Sequence, residues 1–288
     1  MEPSFYFIQL LNGIQYGFLL FLVASGLTLV FGIMDVINLA HGSFYMLGAY
    51  LAYWLSGVFG SLFLGILLAI PLAVMLGWVV EKVAITHLYK RGHLDQVLLT
   101  YGLILIFDEL QIILWGNDSH GVEVPSILSG SIPLTDIQVY PVYRLVVSLV
   151  CIMIAFCMYF IINNTKLGMT IRAGASNREM AQALGIDIQR LFSIVFSLGV
   201  ALAAFSGMIA APIDSLYPGM GENILIISLV VVVIGGIGSV KGAFVGAMII
   251  GVSSIYGKVL FPDMASIVVY AMMAAILLWK PKGLFQAT

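Results

Sequence analysis

Apolar residues run along this chain in long blocks, separated by short polar or glycine-rich breaks. A helix needs about 17–25 predominantly apolar residues to cross a bilayer. Blocks of this kind cover residues 5–31, 61–80, 96–115, 142–162, 191–211, 223–238, 242–260 and 264–279. A further block, 40–57, is shorter and interrupted by Gly42 and Gly48, so it is either another span or a re-entrant segment. The pattern predicts an all-α polytopic membrane protein with eight or nine transmembrane helices, residues 1–288 forming one transmembrane domain.

Composition agrees with the pattern. Hydrophobic residues make up 61% and charged residues 9%, with a mean hydropathy of +1.10, whereas a soluble domain has about 45–50% apolar and ~25% charged residues. The first block has no Lys or Arg before it and runs directly into a full span, so it is expected to be an anchor rather than a removable signal. Cys151 and Cys157 lie six apart in one predicted helix, which matches neither a metal nor a redox spacing. They are expected to pack as small hydrophobes.

Charge changes the picture more. Basic residues concentrate in cytoplasmic loops of membrane proteins. Ten of the twelve here fall on one side if the connections carrying Lys82, Lys90 and Arg91, then Lys166, Arg172, Arg178 and Arg190, then Lys241, and the tail with Lys280 and Lys282 are cytoplasmic. Arg144 and Lys258 remain outside, with Asp118, Glu123, Asp136, Asp214, Glu222 and Asp263. The parity is consistent from residue 80 onward. Before it, the side of the N-terminus depends on whether 40–57 crosses, and the outside is the expected side.

One cytoplasmic stretch, GMTIRAGASNREMAQALGID (168–187), is polar and helix-forming. Ser176 and Glu179 have capping-box spacing, in which the Ser hydroxyl accepts from the Glu179 N–H and the Glu carboxylate reaches back to the Ser N–H. A helix of about eight residues is expected to start there and to stop at Gly185 in left-handed geometry. Met180, Ala183 and Leu184 would share one side, Arg178 and Gln182 another. Helices this short are marginal alone, so neighbouring spans or a partner protein must hold it.

These residues carry a family resemblance. Glu179-Met180-Ala181-Gln182-Ala183-Leu184-Gly185 is similar to the E-A-A-x-x-x-G loop of bacterial ATP-binding-cassette importer permeases, with Met180 in place of the central Ala. GLTLVFGIMDVINLAHGSFYMLGAY (26–50) and VVVIGGIGSVKGAFVGAMIIG (231–251) resemble segments of the H-type, LivH-like permease of branched-chain amino acid transporters, and the likeness extends over nearly the whole chain. The resemblance implies a complex in the bacterial cytoplasmic (inner) membrane. Its partners would be a second, LivM-like permease, two ATPase subunits and a periplasmic solute-binding protein, all working within membrane lipid and without nucleic acid. It implies that Ser176, Glu179, Met180, Ala181, Leu184 and Gly185 form a coupling helix that docks on the ATPase. Branched-chain amino acids are the implied substrate, with urea, amides or another small polar solute as alternatives.

Nucleotide chemistry is not expected on this chain. The run from Gly235 to Gly242 lacks the G-x-x-x-x-G-K-[ST] spacing of a phosphate loop. Gly242, Gly246 and Gly251 are expected to let helices approach closely. No cofactor or metal site is expected, and ATP would come from a partner.

Ionisable groups inside a membrane are costly and mark cavities or partners. Asp108 and Glu109 lie past the middle of their block, where they could meet a substrate ammonium or line a wet vestibule. Asp35, Asn38 and His41 fall between the first two blocks, beside Gly32 and Gly42, where a broken helix could form. They would either satisfy freed backbone groups or line the translocation path. Trp54, Trp78, Trp115 and Trp279 read as interface anchors. The loop 116–140, with Pro125 and Pro133, is either a docking surface for a binding protein or a passive cap. Other functional classes left open are an ion-coupled secondary transporter and, more weakly, a membrane-embedded enzyme.

Overall fold

The computed structural model describes residues 3–89, 91–134 and 138–285, so Lys90 and Asp136 lie outside the described residues. Eleven helices are described: α1 (Pro3–Met34), α2 (His41–Phe59), α3 (Leu62–Val83), α4 (His93–Trp115), α5 (Val142–Asn164), α6 (Lys166–Ser176), α7 (Arg178–Ala183), α8 (Ile188–Ala210), α9 (Met220–Gly235), α10 (Val240–Leu260) and α11 (Ala265–Trp279). Two short antiparallel strands, β1 (Ser131–Pro133) and β2 (Val139–Pro141), lie in the loop before α5. The backbone must satisfy itself in lipid, which makes a long apolar block a helix almost by necessity. Accordingly every apolar block of the sequence is helical here, with ends shifted by three residues or fewer.

Seven of these helices are long and apolar enough to cross a membrane, counting the short turn at Pro262–Met264 with α11. With α2 and the 16-residue α9, nine elements contribute to the membrane region of the described residues. Burial ranks them. In α1 and α8, 89% and 78% of the most apolar window is buried, against 17% in α5 and 6% at the C-terminal helix. The core is therefore the α1–α8 pair, wrapped by α2, α3, α9 and α10, while α4, α5 and α11 show broad apolar faces to lipid or partners.

Apolar attraction between helices is weak in lipid, so close packing relies on small residues. At the α2–α8 crossing a Cβ on Gly207 would collide with the Tyr45 carbonyl, and one on Gly48 with the backbone of Ala204.

Contacts fix the direction of each span. The Tyr256 hydroxyl donates to the Tyr6 carbonyl at 2.9 Å, and Gly32 meets Gly238 at the other end, so α1 and α10 run antiparallel. The Gly32 end carries nine described basic residues, Lys82, Arg91, Lys166, Arg172, Arg178, Arg190, Lys241, Lys280 and Lys282. It is the cytoplasmic end by the distribution of positive charge.

Helix α2 settles the question left by the sequence. It begins where the His41 ring meets the Val23 carbonyl at 2.9 Å, eleven residues or about 16 Å back from the end of α1. It ends at the outer side, where Tyr50 packs on Trp115 with ring centroids 5.2 Å apart. Residues 35–59 thus cross, their first part unwound, and α1 starts on the outer side. Helix α9 is likewise too short to span alone, about 24 Å against a core of ~30 Å. The first turns of the two short helices meet at Gly42 and Gly221.

Candidate functional site

At the cytoplasmic end, Thr165 caps α6, its hydroxyl oxygen accepting from the Gly168 N–H at 3.2 Å. Ser176 then completes the last turn of α6, and the chain breaks one residue later than the capping box requires. Asn177 is the N-cap of α7, with Oδ1 accepting from the Met180 N–H at 2.9 Å. This corrects the expected Ser176 cap. Asn caps as well as Ser does, and the Asn177 N–H still bonds Ala173 of α6 at 3.0 Å, so one residue closes one helix and opens the next. Glu179 sits in the first turn, where a carboxylate suits the helix dipole. Gly185 adopts φ +88°, the expected left-handed stop.

The helix is shorter than the eight residues expected, but Met180, Ala183 and Leu184 share its exposed side as the sequence implies. Six residues long, it turns Ala181 inward, 2% exposed, while Met180 and Leu184 are 58% and 75% exposed. Ala181 anchors the helix to the body, leaving Met180 and Leu184 as an apolar pair open to the aqueous side.

From α7 a line of contacts leads into the bundle. The Arg178 guanidinium lies 5.5 Å over the Phe192 ring of α8. Phe192 meets Tyr89 edge-to-face at 4.9 Å. The Tyr89 hydroxyl donates to Glu81 Oε1, which also accepts from Thr86 at 3.0 Å, while Glu81 Oε2 accepts from Ser193 at 2.7 Å. Glu81, 1% exposed, therefore ties α3, the α3–α4 connection and α8 together. Burial, with the hydrogen bond to Glu81 and its charge, pushes the Tyr89 phenol well above its usual range, so it stays a donor. The sequence reading passed over Glu81. The available signal was an acidic residue in the last turn of an apolar helix, where the dipole disfavours it and a dedicated set of donors is needed.

The unwound segment gathers a second polar group. Asp35, at φ +53°, closes α1 and is exposed, unlike the other two predicted residues. Asn38 and His41 are buried at 1% and 0%. His41 bridges α2 to α1 through Val23, but the backbone of the segment is satisfied from α4: Gln96 Oε1 accepts from the Ile37 N–H at 3.2 Å, and the Thr100 hydroxyl faces the Ile37 carbonyl at 3.4 Å. Both Asn38 amide atoms have no protein partner. Asp108 and Glu109 diverge as adjacent helical residues must. Asp108 is half-buried with Glu222 of α9 nearby, and Glu109 is exposed.

Comparison with known proteins places this architecture. A family model described as the branched-chain amino acid transport system, permease component, matches residues 9–277. The chain belongs to this permease family. It is 28% identical to the high-affinity branched-chain amino acid transport system permease protein BraD of Pseudomonas aeruginosa, over 98% of this chain and 96% of that one. The same coverage and 28% identity relate it to LivH of Escherichia coli K12. A probable branched-chain amino acid transport permease protein LivH of Methanocaldococcus jannaschii is 30% identical over 84% of this chain and 78% of its own. No solved structure matches significantly.

The permease is a multi-pass membrane protein, and its outer end holds a cavity of about 500 Å³ between α1, α5, α9, α10 and α11. Asp214, Arg144 and Lys258 all face it. The sequence reading placed these three on the outer side but gave no reason to join them. His120, just after α4, closes part of this end: it pairs with Leu216 through both backbone groups and stacks on Tyr53 at 4.7 Å.

Proposed function

We propose that this chain is the permease subunit of an ATP-binding-cassette importer in the bacterial cytoplasmic (inner) membrane, a single transmembrane domain forming half of a path for branched-chain amino acids. The observation that carries the reading is α7, a six-residue helix anchored by Ala181 that presents Met180 and Leu184 outward at the cytoplasmic end. Exposed apolar pairs on a short, capped helix suit a groove on a partner, and the family membership supports an ATPase as that partner. The chain itself contributes no catalysis. Two ATPase subunits hydrolyse ATP, a second permease completes the path, and a periplasmic binding protein delivers the ligand.

The coupling residues are Glu179, Met180, Ala181, Leu184 and Gly185. Movement of α7 is passed through Arg178 and Phe192 to Tyr89 and Glu81, and so to α3, α4 and α8, whose rearrangement opens the path alternately to either side. Asn38 and His41, where α1 and α2 part, lie on the elements that must move.

The deciding experiment is purification of the tagged chain with its companions, with ATP hydrolysis measured with and without leucine-loaded binding protein. Co-purification of two ATPases and a second permease, with hydrolysis stimulated by the loaded binding protein, is expected. Leu184→Glu and Gly185→Pro are expected to abolish the stimulation. A chain that purifies alone and moves solute down an ion gradient would refute the reading.

A further inference from the structure

The cavity at the outer end holds an unusual set of charges. Arg144, from the start of α5, donates through Nη1 to Asn12 Oδ1 at 2.7 Å, which fixes the guanidinium against α1. Lys258, near the end of α10, lies 5.7 Å from the centre of the Tyr16 ring. Asp214, in the loop after α8, is open to the cavity yet surrounded by protein. Both cations act on Asp214 electrostatically. Neither closes an ion pair with it, because the ion pairs among the described residues are Lys82–Glu81 and Arg190–Asp187.

Charges held apart in a partly apolar cavity cost free energy until a ligand pairs them. A carboxylate, a guanidinium and an ammonium lining one cavity without closing an ion pair match a ligand that carries both an anion and a cation. Deeper in, Leu19, Ile227 and Val269 make the wall apolar. The volume, about 500 Å³, falls within the ~300–1,000 Å³ of small-molecule sites.

We propose that this cavity is a binding site for a zwitterionic α-amino acid with a branched aliphatic side chain. Asp214 accepts from the ligand ammonium, and the Arg144 guanidinium and the Lys258 ammonium meet its carboxylate. Leu19, Ile227 and Val269 receive the side chain. The site lies within one permease, on the outer side, where a solute released from a binding protein arrives first. The assignment rests on the importer reading above for its place in transport, and on the charges alone for its chemistry.

The test uses the complete transporter in nanodiscs without its binding protein, titrated with radiolabelled L-leucine. Saturable binding is expected. Leucinamide, which lacks the carboxylate, and 4-methylvalerate, which lacks the ammonium, are expected to compete at least tenfold more weakly than unlabelled leucine. Asp214→Asn is expected to weaken leucine binding at least tenfold and to narrow the preference over 4-methylvalerate, and Arg144→Gln to narrow the preference over leucinamide. The competition pattern of the unaltered complex tests the ligand chemistry without a variant, and whichever of the two variants assembles tests that the ligand lies in this cavity rather than in the second permease. Equal competition by either analogue, or no leucine binding, overturns the site. Binding seen in detergent but lost in phosphatidylethanolamine nanodiscs assigns the cavity to a lipid headgroup and also overturns it. Uptake driven by ATP and loaded binding protein in proteoliposomes separates the two readings. If uptake persists without a leucine site, only the cavity assignment falls; if uptake and ATPase stimulation are both absent, the importer assignment falls as well.

Discussion

Replacing Glu81 by glutamine keeps the size of the side chain and removes one of its two acceptor oxygens. If the amide nitrogen takes the place of Oε1, Tyr89 loses its acceptor, while Thr86 keeps the Glu81 backbone carbonyl at 2.8 Å. If it takes the place of Oε2, Ser193 falls back on the Gln189 carbonyl at 3.1 Å. Either way at least one hydrogen bond to a charged group is lost at a buried position, about 1.5–3 kcal/mol. That corresponds to roughly 3–10 °C in the unfolding midpoint of a chain this large. Lys82 provides the internal control. It is 43% exposed and 3.7 Å from Glu81, so Lys82→Ala should cost at most about 1 kcal/mol. The assay follows tryptophan fluorescence of the purified complex on heating, and ATP hydrolysis with and without loaded binding protein. The expected order of loss is Glu81→Gln, then Tyr89→Phe, then Lys82→Ala, with stimulated hydrolysis falling more than basal. Equal effects of Lys82→Ala and Glu81→Gln, or an unchanged midpoint for Glu81→Gln, would refute the view that hydrogen bonds hold this carboxylate.

Further outcomes follow from the same geometry. Asn177→Ala should destabilise α7 by about 0.5–2 kcal/mol and reduce stimulated ATP hydrolysis, whereas Ser176→Ala should be nearly neutral; the reverse order would restore the capping-box assignment. Gln96→Leu removes the acceptor of the Ile37 N–H and should lower the unfolding midpoint by an amount equivalent to about 1–3 kcal/mol. Gly207→Val forces a Cβ into the Tyr45 carbonyl and should abolish assembly on size-exclusion chromatography, while Gly57→Ala, with open space around it, should assemble normally. Burial raises the Asp214 carboxyl, partly offset by Lys258 and Arg144, so leucine binding in the outer cavity should weaken on acidification at a higher pH than for an ordinary carboxylate. Protonation removes the charge that meets the ammonium, and Asp214→Asn should abolish that pH dependence, as a binding titration across pH would reveal.

Eight of the spans, and the orientation from residue 80 onward, were legible along the chain, because lipid forces each apolar block to satisfy its own backbone locally and basic residues mark the cytoplasmic side; whether 40–57 crosses was not, since that depends on where α2 starts against α1. The left-handed stop at Gly185 was legible for the same reason, since its cause lies within a few residues. The cap was harder: Ser176 and Asn177 are both good capping residues, and only the length of α6 decides between them. What joins distant segments was not legible at all. Helices that are apolar on every side give no clue to which face is buried, so rotation and crossing are set by small-residue contacts such as Gly207 on Tyr45. Those contacts start α2 at the depth of Val23, put Gln96 beside Ile37, close Tyr89 and Ser193 on Glu81, and bring Arg144, Asp214 and Lys258 to one cavity. Each of these groups is polar, and its value depends on a partner far away in sequence that only the packed bundle supplies.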